Sequence, residues 1–142
     1  MSYQIAILVL NYNGKDLLQK CLGSVVTASR VPELSPHVCR VVLVDNRSTD
    51  DSVDYVKANY PGVEVVVSEK NDFLFSLNPL VAELDEDVVV ILNNDMWVAP
   101  DFLPPLLRHF GQEDLFAVTC GIRDWDGQAF TPESRPDICT VR

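Results

Sequence analysis

The sequence predicts an α/β domain built on a mainly parallel sheet with helices on both faces. Three observations carry this expectation. Strand-like apolar runs alternate with segments of helical spacing. The runs "IAILVLNY", "CRVVLVDN" and "DVVVILNN" are almost unbroken, as in strands buried on both faces. Each of the three ends abruptly in Asn or Asp, at Asn11 to Asn13, Asp45–Asn46 and Asn93 to Asp95.

The elements follow in order. Ile5 to Tyr12 is the first strand, and Asn13-Gly14 is a turn signal. Leu17, Leu18, Cys21, Leu22, Val25 and Val26 recur at helical spacing, which predicts a helix to about Ser29. "VPELSPH" holds two prolines and reads as a loop, and Cys39 to Asn46 is the second strand. Ser48 or Thr49 is placed to cap a helix with Asp50 and Asp51 in its first turn, where the dipole favours acids. That helix runs to about Asn59 and stops before Pro61. "VEVVVSE" is a third strand, and Phe73 to Leu84 is helical although Pro79 disturbs it. "DVVVILNN" is a fourth strand, "PDFLPPLLRHF" a short helix, and "LFAVTCGI" a fifth strand. Beyond Arg123 the pattern fades, with Asp126-Gly127 suggesting a hairpin turn.

Composition bounds the function. The 142 residues suit one domain with a sizeable core, and 47% hydrophobic content is that of a folded chain. A net charge of −10, from 11 basic and 21 acidic side chains, argues against nucleic acid as a partner, because phosphate contacts generate that affinity. A phosphorylated ligand would need backbone amides, a helix N-terminus or a divalent cation to offset the charge. No apolar run approaches the length of a membrane span, and "MSYQIAILVLNYNG" lacks a basic leader and reads as a strand. Cys21, Cys39, Cys120 and Cys139 are widely spaced, without a CxxC pair, so the expectation is reduced thiols in a cytoplasmic protein.

Parallel sheets bind ligands beyond the carboxyl ends of their strands, where the strand order reverses. Three polar clusters converging on that edge make a candidate site. The chain has no GxGxxG and no GxxxxGK[ST], so the dinucleotide and P-loop readings fail. Carboxylate and amide at strand tips remain. Asp95 is either a turn residue or a ligand for a hard cation, Mg²⁺ or Mn²⁺, bridging substrate phosphates. Asp45 either accepts a hydrogen bond from a ligand or caps the following helix.

"ILVLNYNGKDLLQKCLGSV", "VVLVDNRSTDDS", "EKNDFLFSLN" and "VVVILNNDMWVAPDFL", in this order, resemble the N-terminal half of a family 2 glycosyltransferase, nearest in flavour to the rhamnosyltransferase-like branch. The resemblance runs from Ile5 to about Gly127. It implies a GT-A fold, apparently truncated, with residues 1–127 as a nucleotide-sugar-binding half and 128–142 as a tail of uncertain structure. It implies inverting transfer from a nucleoside-diphosphate sugar to a glycan or lipid-linked acceptor. Asn93-Asn94-Asp95 falls on the family's DXD metal motif, Asp95 matching the cation ligand and Asn94 a residue near the donor ribose. Asp45 and Asn46 match the pair that reads base and ribose, and Asn11 and Tyr12 the lining of the base pocket. An amide such as that of Asn46 can donate to and accept from a pyrimidine edge, so a dTDP- or UDP-linked donor is expected.

Two departures from the family pattern stand out. Asp72 and Phe75 stand where members tend to carry glycine, and Phe73 and Phe75 read as core residues under a repacked helix. The general base that the mechanism needs belongs to a part of the family pattern beyond Gly127, where Glu133 and Asp137 read as solvated charge. A receiver-like signalling module is the competing α/β reading. It requires an acidic pair after strand one and a lysine after strand five, where this chain has Asn11-Tyr12-Asn13 and Gly121-Ile122. A degenerate transferase acting as a binding or assembly module is the other.

Losing a positioned base costs roughly 10²–10⁴-fold in rate. The 142-residue chain is therefore expected to bind donor weakly, to transfer sugar at or near background, and to self-associate through uncovered apolar surface. Robust transfer in a product assay would contradict the first expectation, and a monodisperse monomer by light scattering at high concentration the last.

Overall fold

The computed structural model describes residues 2–123 and the backbone of residues 138–140. The chain divides into two compact units, Met1–Asp101 and Phe102–Arg142.

The first unit carries a four-stranded sheet. Strands β1 (Gln4–Asn11), β2 (Val38–Asp45), β3 (Glu64–Val67) and β4 (Val88–Asn93) lie in the order β3-β2-β1-β4, and every pairing is parallel. The two near-unbroken runs at the chain's start, β1 and β2, are the two central strands. Ile5 to Val9 and Val41 to Val44 are buried on both sides of the sheet.

Handedness decides where the helices go. Helix α1 (Lys15–Ala28) joins β1 to β2, and α2 (Ser52–Asn59) joins β2 to β3, both crossovers moving the same way across the sheet. Helix α3 (Leu77–Glu83) leads from β3 back across to β4 on the far side of β1. Right-handed crossovers in opposite directions put their helices on opposite faces. The packing agrees: Ala6, Leu8, Val42 and Val44 form one cluster with Leu77, and Leu10, Val66, Leu80, Leu84 and Val89 pack against it. Alternation along the strands turns Ile5, Ile7, Val9, Val41 and Leu43 to the other face. That is the face of α1, whose Leu18, Cys21, Leu22 and Val25 are buried at helical spacing, and of α2 with its buried Val56.

Three elements differ from expectation. The fifth strand, β5 (Leu115–Val118), belongs to the second unit and pairs antiparallel with β6 (Ile138–Thr140). Its Phe116 is exposed while Leu115, Ala117 and Val118 are half-buried, the one-sided pattern of an antiparallel ladder and not of a strand covered on both faces. The segment from Phe73 begins as a 3-10 turn, Phe73–Ser76, and becomes α-helical only at Leu77. Pro79 sits in the first turn of α3, where its missing N–H removes no helical bond. Phe73 and Phe75 are not core residues: they are 79% and 68% exposed, and the core beneath is filled by Leu77, Leu80 and Leu84.

In the second unit the short helix α4 (Leu103–Leu107) opens with Pro104 and Pro105 and runs on as a 3-10 turn, Arg108–Gly111. The expected turn at Asp126-Gly127 lies outside the described residues. Among the described residues no helix is long and apolar enough to cross a membrane. Cys21, Cys39 and Cys120 are free thiols.

Leu8→Ala should destabilise the protein by roughly 2–5 kcal/mol, because it opens a cavity between two central strands and α3. Ile91, half-exposed on the edge strand β4, should cost about 1 kcal/mol or less on the same change. Urea unfolding of the two variants checks the contrast; equal costs would mean that the sheet is covered differently.

Candidate functional site

The strand order reverses between β1 and β4, since β2 and β3 continue on one side of β1 and β4 lies on the other. The carboxyl ends of β1, β2 and β4 therefore meet at one place, which is where such sheets take ligands. Register brings the tips level: Asn11 pairs with Asp45, and Leu10 with Asn93.

The Asn11 side chain ties the tips together. Its Nδ2 donates to Asp45 Oδ1 at 2.8 Å and to Ser48 Oγ at 3.1 Å, and its Oδ1 accepts from Asn94 Nδ2 at 2.7 Å. Asp45 is saturated within the same network. Ser48 donates to it twice, from Oγ to Oδ1 at 2.6 Å and from the backbone N–H to Oδ2 at 2.8 Å. The Asn13 N–H in turn donates to Ser48 Oγ at 2.8 Å. Asn13, in the left-handed conformation at φ 47°, accepts at Oδ1 from the N–H of Thr49 at 2.7 Å and of Asp50 at 3.3 Å. The loops after β1 and β2 are thus zipped to one another. Among the described residues no buried side-chain nitrogen or oxygen lacks a partner.

This use of Ser48 changes the start of α2. The sequence places Ser48 or Thr49 as the cap, but Ser48 serves the strand tips and the helix starts at Ser52. Asp50 takes over part of the capping: its Oδ1 accepts from the Ser52 N–H at 3.1 Å and from the Ser52 hydroxyl. Asp50 Oδ2 also accepts from the Lys15 N–H at 3.1 Å, the first amide of α1. Burial would push the Asp50 carboxyl up, but the Ser52 and Lys15 hydrogen bonds outweigh it and hold the group below its ordinary range.

Gly14 is required by close approach. A Cβ there would stand 2.0 Å from Asn94 Nδ2 and 2.7 Å from Asn11 Oδ1, so any side chain displaces the Asn94 amide from its bond.

The expected site residues separate into two groups. Asn11, Asp45 and Asn46 are 1%, 1% and 2% exposed. The Asn46 amide, expected to face a base edge, is engaged inside the protein: Nδ2 donates to Phe73 O at 3.0 Å, and Oδ1 accepts from Ser68 Oγ at 2.9 Å. Tyr12, Asn93 and Asp95 are exposed and Asn94 is half-buried. Asp95 follows Asn94 on a short turn closed by the Met96 N–H to Asn93 O, and the chain is pinned again where the Val98 N–H donates to Ser24 Oγ of α1 at 3.0 Å. Burial, and then the negative charge of Asp95, raise the Cys21 thiol.

Electrostatically the edge is acidic and its cations are engaged. Lys15 Nζ lies 3.1 Å from Asp51 Oδ2, and Arg47, left-handed at φ 61°, donates to Glu69 O at 2.9 Å. Among the described residues no three His, Cys, Asp or Glu side chains gather at one point.

Ser48, Ser68 and Gly14 are members of this site that the sequence did not assign to it: Ser48 read as a helix cap and Gly14 as a turn residue. The Asp45-x-x-Ser48 spacing was the readable signal, since an Asp side chain accepts readily from a backbone N–H a few residues on. Ser68 and the role of Gly14 had none, because each acts on a partner distant in the chain.

The parallel sheet with helices on both faces has the architecture of GT-A type glycosyltransferases. The chain belongs to glycosyl transferase family 2, whose family model matches residues 6–139. It is 27% identical over 113 residues to the SPbeta prophage-derived glycosyltransferase SunS of Bacillus subtilis, covering 79% of this chain and 25% of that protein. Its fold is similar to that of the Pyrobaculum calidifontis mannosyltransferase PcManGT, solved with GDP-Man and Mn²⁺: TM-score 0.72, 22% identity, 87% of this chain and 36% of the other. It is also similar to S. aureus TarS 1-349 in complex with UDP, with TM-score 0.60 and 19% identity over 74% of this chain and 31% of the other. The chain thus spans about a quarter of the SunS sequence that it matches.

Gly14→Ala and Asn94→Ala each remove the Asn94–Asn11 bond, so each should cost about 0.5–1.5 kcal/mol. The double variant should cost little more than the worse single one, as expected for two changes acting through one interaction. Urea denaturation of the cycle checks this; strict additivity would mean that Gly14 is needed for another reason.

Proposed function

We propose that this chain is the donor-binding part of a sugar transferase that takes a nucleoside-diphosphate sugar together with Mg²⁺ or Mn²⁺. The observation that carries this reading is the chain of hydrogen bonds Asp45–Asn11–Asn94. It fixes the β4 tip at the reversal of strand order and presents Asp95 as an exposed carboxylate there. Similar folds solved with GDP-Man and Mn²⁺, with UDP and with UDP-GlcNAc support a donor of this class.

Asp95 is the residue that would hold the cation. A divalent cation there would offset the negative charge of a diphosphate leaving group. The protein's own part is to hold the tips rigid, so that carboxylate and donor meet in one geometry. The acidity of the chain makes the cation the means by which an anionic donor is tolerated.

The reaction we infer is inverting transfer to a hydroxyl of a glycan or lipid-linked acceptor, with a general base to deprotonate that hydroxyl. A pyrimidine donor would require a polar edge contact. The Asn46 amide is engaged by Ser68 and Phe73, so the proposal stays at the class of nucleoside-diphosphate sugars.

Asp95→Ala should abolish the Mn²⁺-dependent part of UDP or GDP binding, because Asn93 and Asn94 are neutral and weaker ligands. Calorimetry with and without Mn²⁺ reads this directly. Unchanged metal dependence in the variant would sink the assignment of Asp95.

A further inference from the structure

Phe73 combines three properties that packing does not explain. Its backbone is left-handed at φ 52°, a conformation that favours glycine and is strained for an aromatic residue. Its side chain is 79% exposed, so no burial compensates for the strain. Its carbonyl is held by Asn46 Nδ2 at 3.0 Å, directly at the tip of β2. The glycine-favouring position of this segment is therefore Phe73 and not Asp72, whose φ is −122°.

The loop around Phe73 is braced. The Phe73 N–H donates to Asn71 Oδ1 at 3.3 Å, and the Asp72 N–H to Ser76 Oγ at 3.0 Å. Ser76 Oγ reaches Lys70 O at 3.3 Å, and Lys70 Nζ meets Asp72 Oδ2 at 2.8 Å. An exposed ring is thus presented on a fixed backbone at the carboxyl edge of the sheet.

Position and chemistry select the occupant. Asp95 follows β4 and Phe73 hangs on β2, two strands away across β1, which is on the order of 10 Å at the usual strand spacing. A nucleoside diphosphate held by its phosphates at Asp95 and laid along the edge carries its base to that distance. The polar side chains beneath, Asn11, Asp45 and Asn46, are buried and engaged by protein partners. That leaves the exposed rings of Tyr12 at the β1 tip and Phe73 beside the β2 tip for a base to meet, and of the two only Phe73 holds a strained backbone. An acidic protein also gains nothing from long-range attraction to a nucleotide, so contact with the base face matters more.

Building on the donor-site reading above, we propose that Phe73 is a stacking platform for the donor nucleobase. It binds through the π face and does not read a hydrogen-bonding edge. Stacking of this kind tolerates any base and is substantial per ring.

The test is calorimetry on the 142-residue chain with Mn²⁺ and, in turn, UDP, GDP and inorganic pyrophosphate. Phe73→Ala should weaken UDP and GDP alike, by about 5- to 100-fold, and leave pyrophosphate unchanged. Phe73→Trp, which keeps a π face, should restore both nucleotides to within a few-fold. Phe73→Gly should lose nucleotide affinity while its melting temperature holds or rises, because the strain is released; a structural role would lower it. Nucleotide affinities within twofold of the unaltered chain in Phe73→Ala, a loss confined to one base, or an equal loss of pyrophosphate each overturn the proposal. Absence of UDP and GDP binding by the unaltered chain overturns the donor-site reading along with it, whereas intact binding with a silent Phe73 overturns this inference alone.

Discussion

One primary amide holds this site in shape. The ladder between β1 and β2 ends at Asn11 and Asp45, and that between β1 and β4 one pair earlier, at Leu10 and Asn93. Beyond those pairs nothing in a parallel sheet keeps three strand ends together, and the twist of the sheet tends to part them. Asn11 supplies the missing connection, donating toward β2 and its following loop and accepting from the residue after β4. An amide suits the task because it offers donor and acceptor on opposite sides of one short, flat group. Buried among partners that are themselves satisfied, it is costly to disturb, since each lost bond would strand a polar group away from water.

The same network divides the expected site into residues that hold and residues that reach. Asn11, Asp45 and Asn46 are buried and engaged; Tyr12, Asn93 and Asp95 stand outside them. Asn94 belongs to both groups, because its amide completes the network while its backbone leads directly into Asp95. Rigidity below and exposure above suit the charged, flexible donor proposed for this site. The closeness of Gly14 to Asn94 extends the constraint to the first turn of α1, so strand tip, turn and helix start form one rigid piece.

The chain matches about a quarter of SunS and about a third of the mannosyltransferase's length. In the segment after β3, Phe73 adopts a glycine-like backbone and Phe75 is left in solvent. That segment lies beside the β2 tip through Asn46, at the edge of the proposed donor site and not in the core.

The sequence by itself determined the sheet, its parallel sense and the placing of polar residues at strand ends. Unbroken apolar runs can be buried only between two layers, and crossover helices of one hand leave few ways to arrange them. It also pointed to Asn11, Asp45, Asn94 and Asp95 as a group, because each ends a run that otherwise wants burial. Tertiary structure alone decided which of these groups face one another and which face solvent. Ser48 could cap α2 or serve the strand tips, and the choice rested on Asn11 and Asp45 arriving beside it from strands far apart in the chain. Phe73 and Phe75 looked like core residues because hydrophobicity is a property of the residue, whereas exposure depends on space that Leu77, Leu80 and Leu84 had already filled. The fifth apolar run had no partner written into it, and pairing with β6 is a long-range contact that no local pattern encodes.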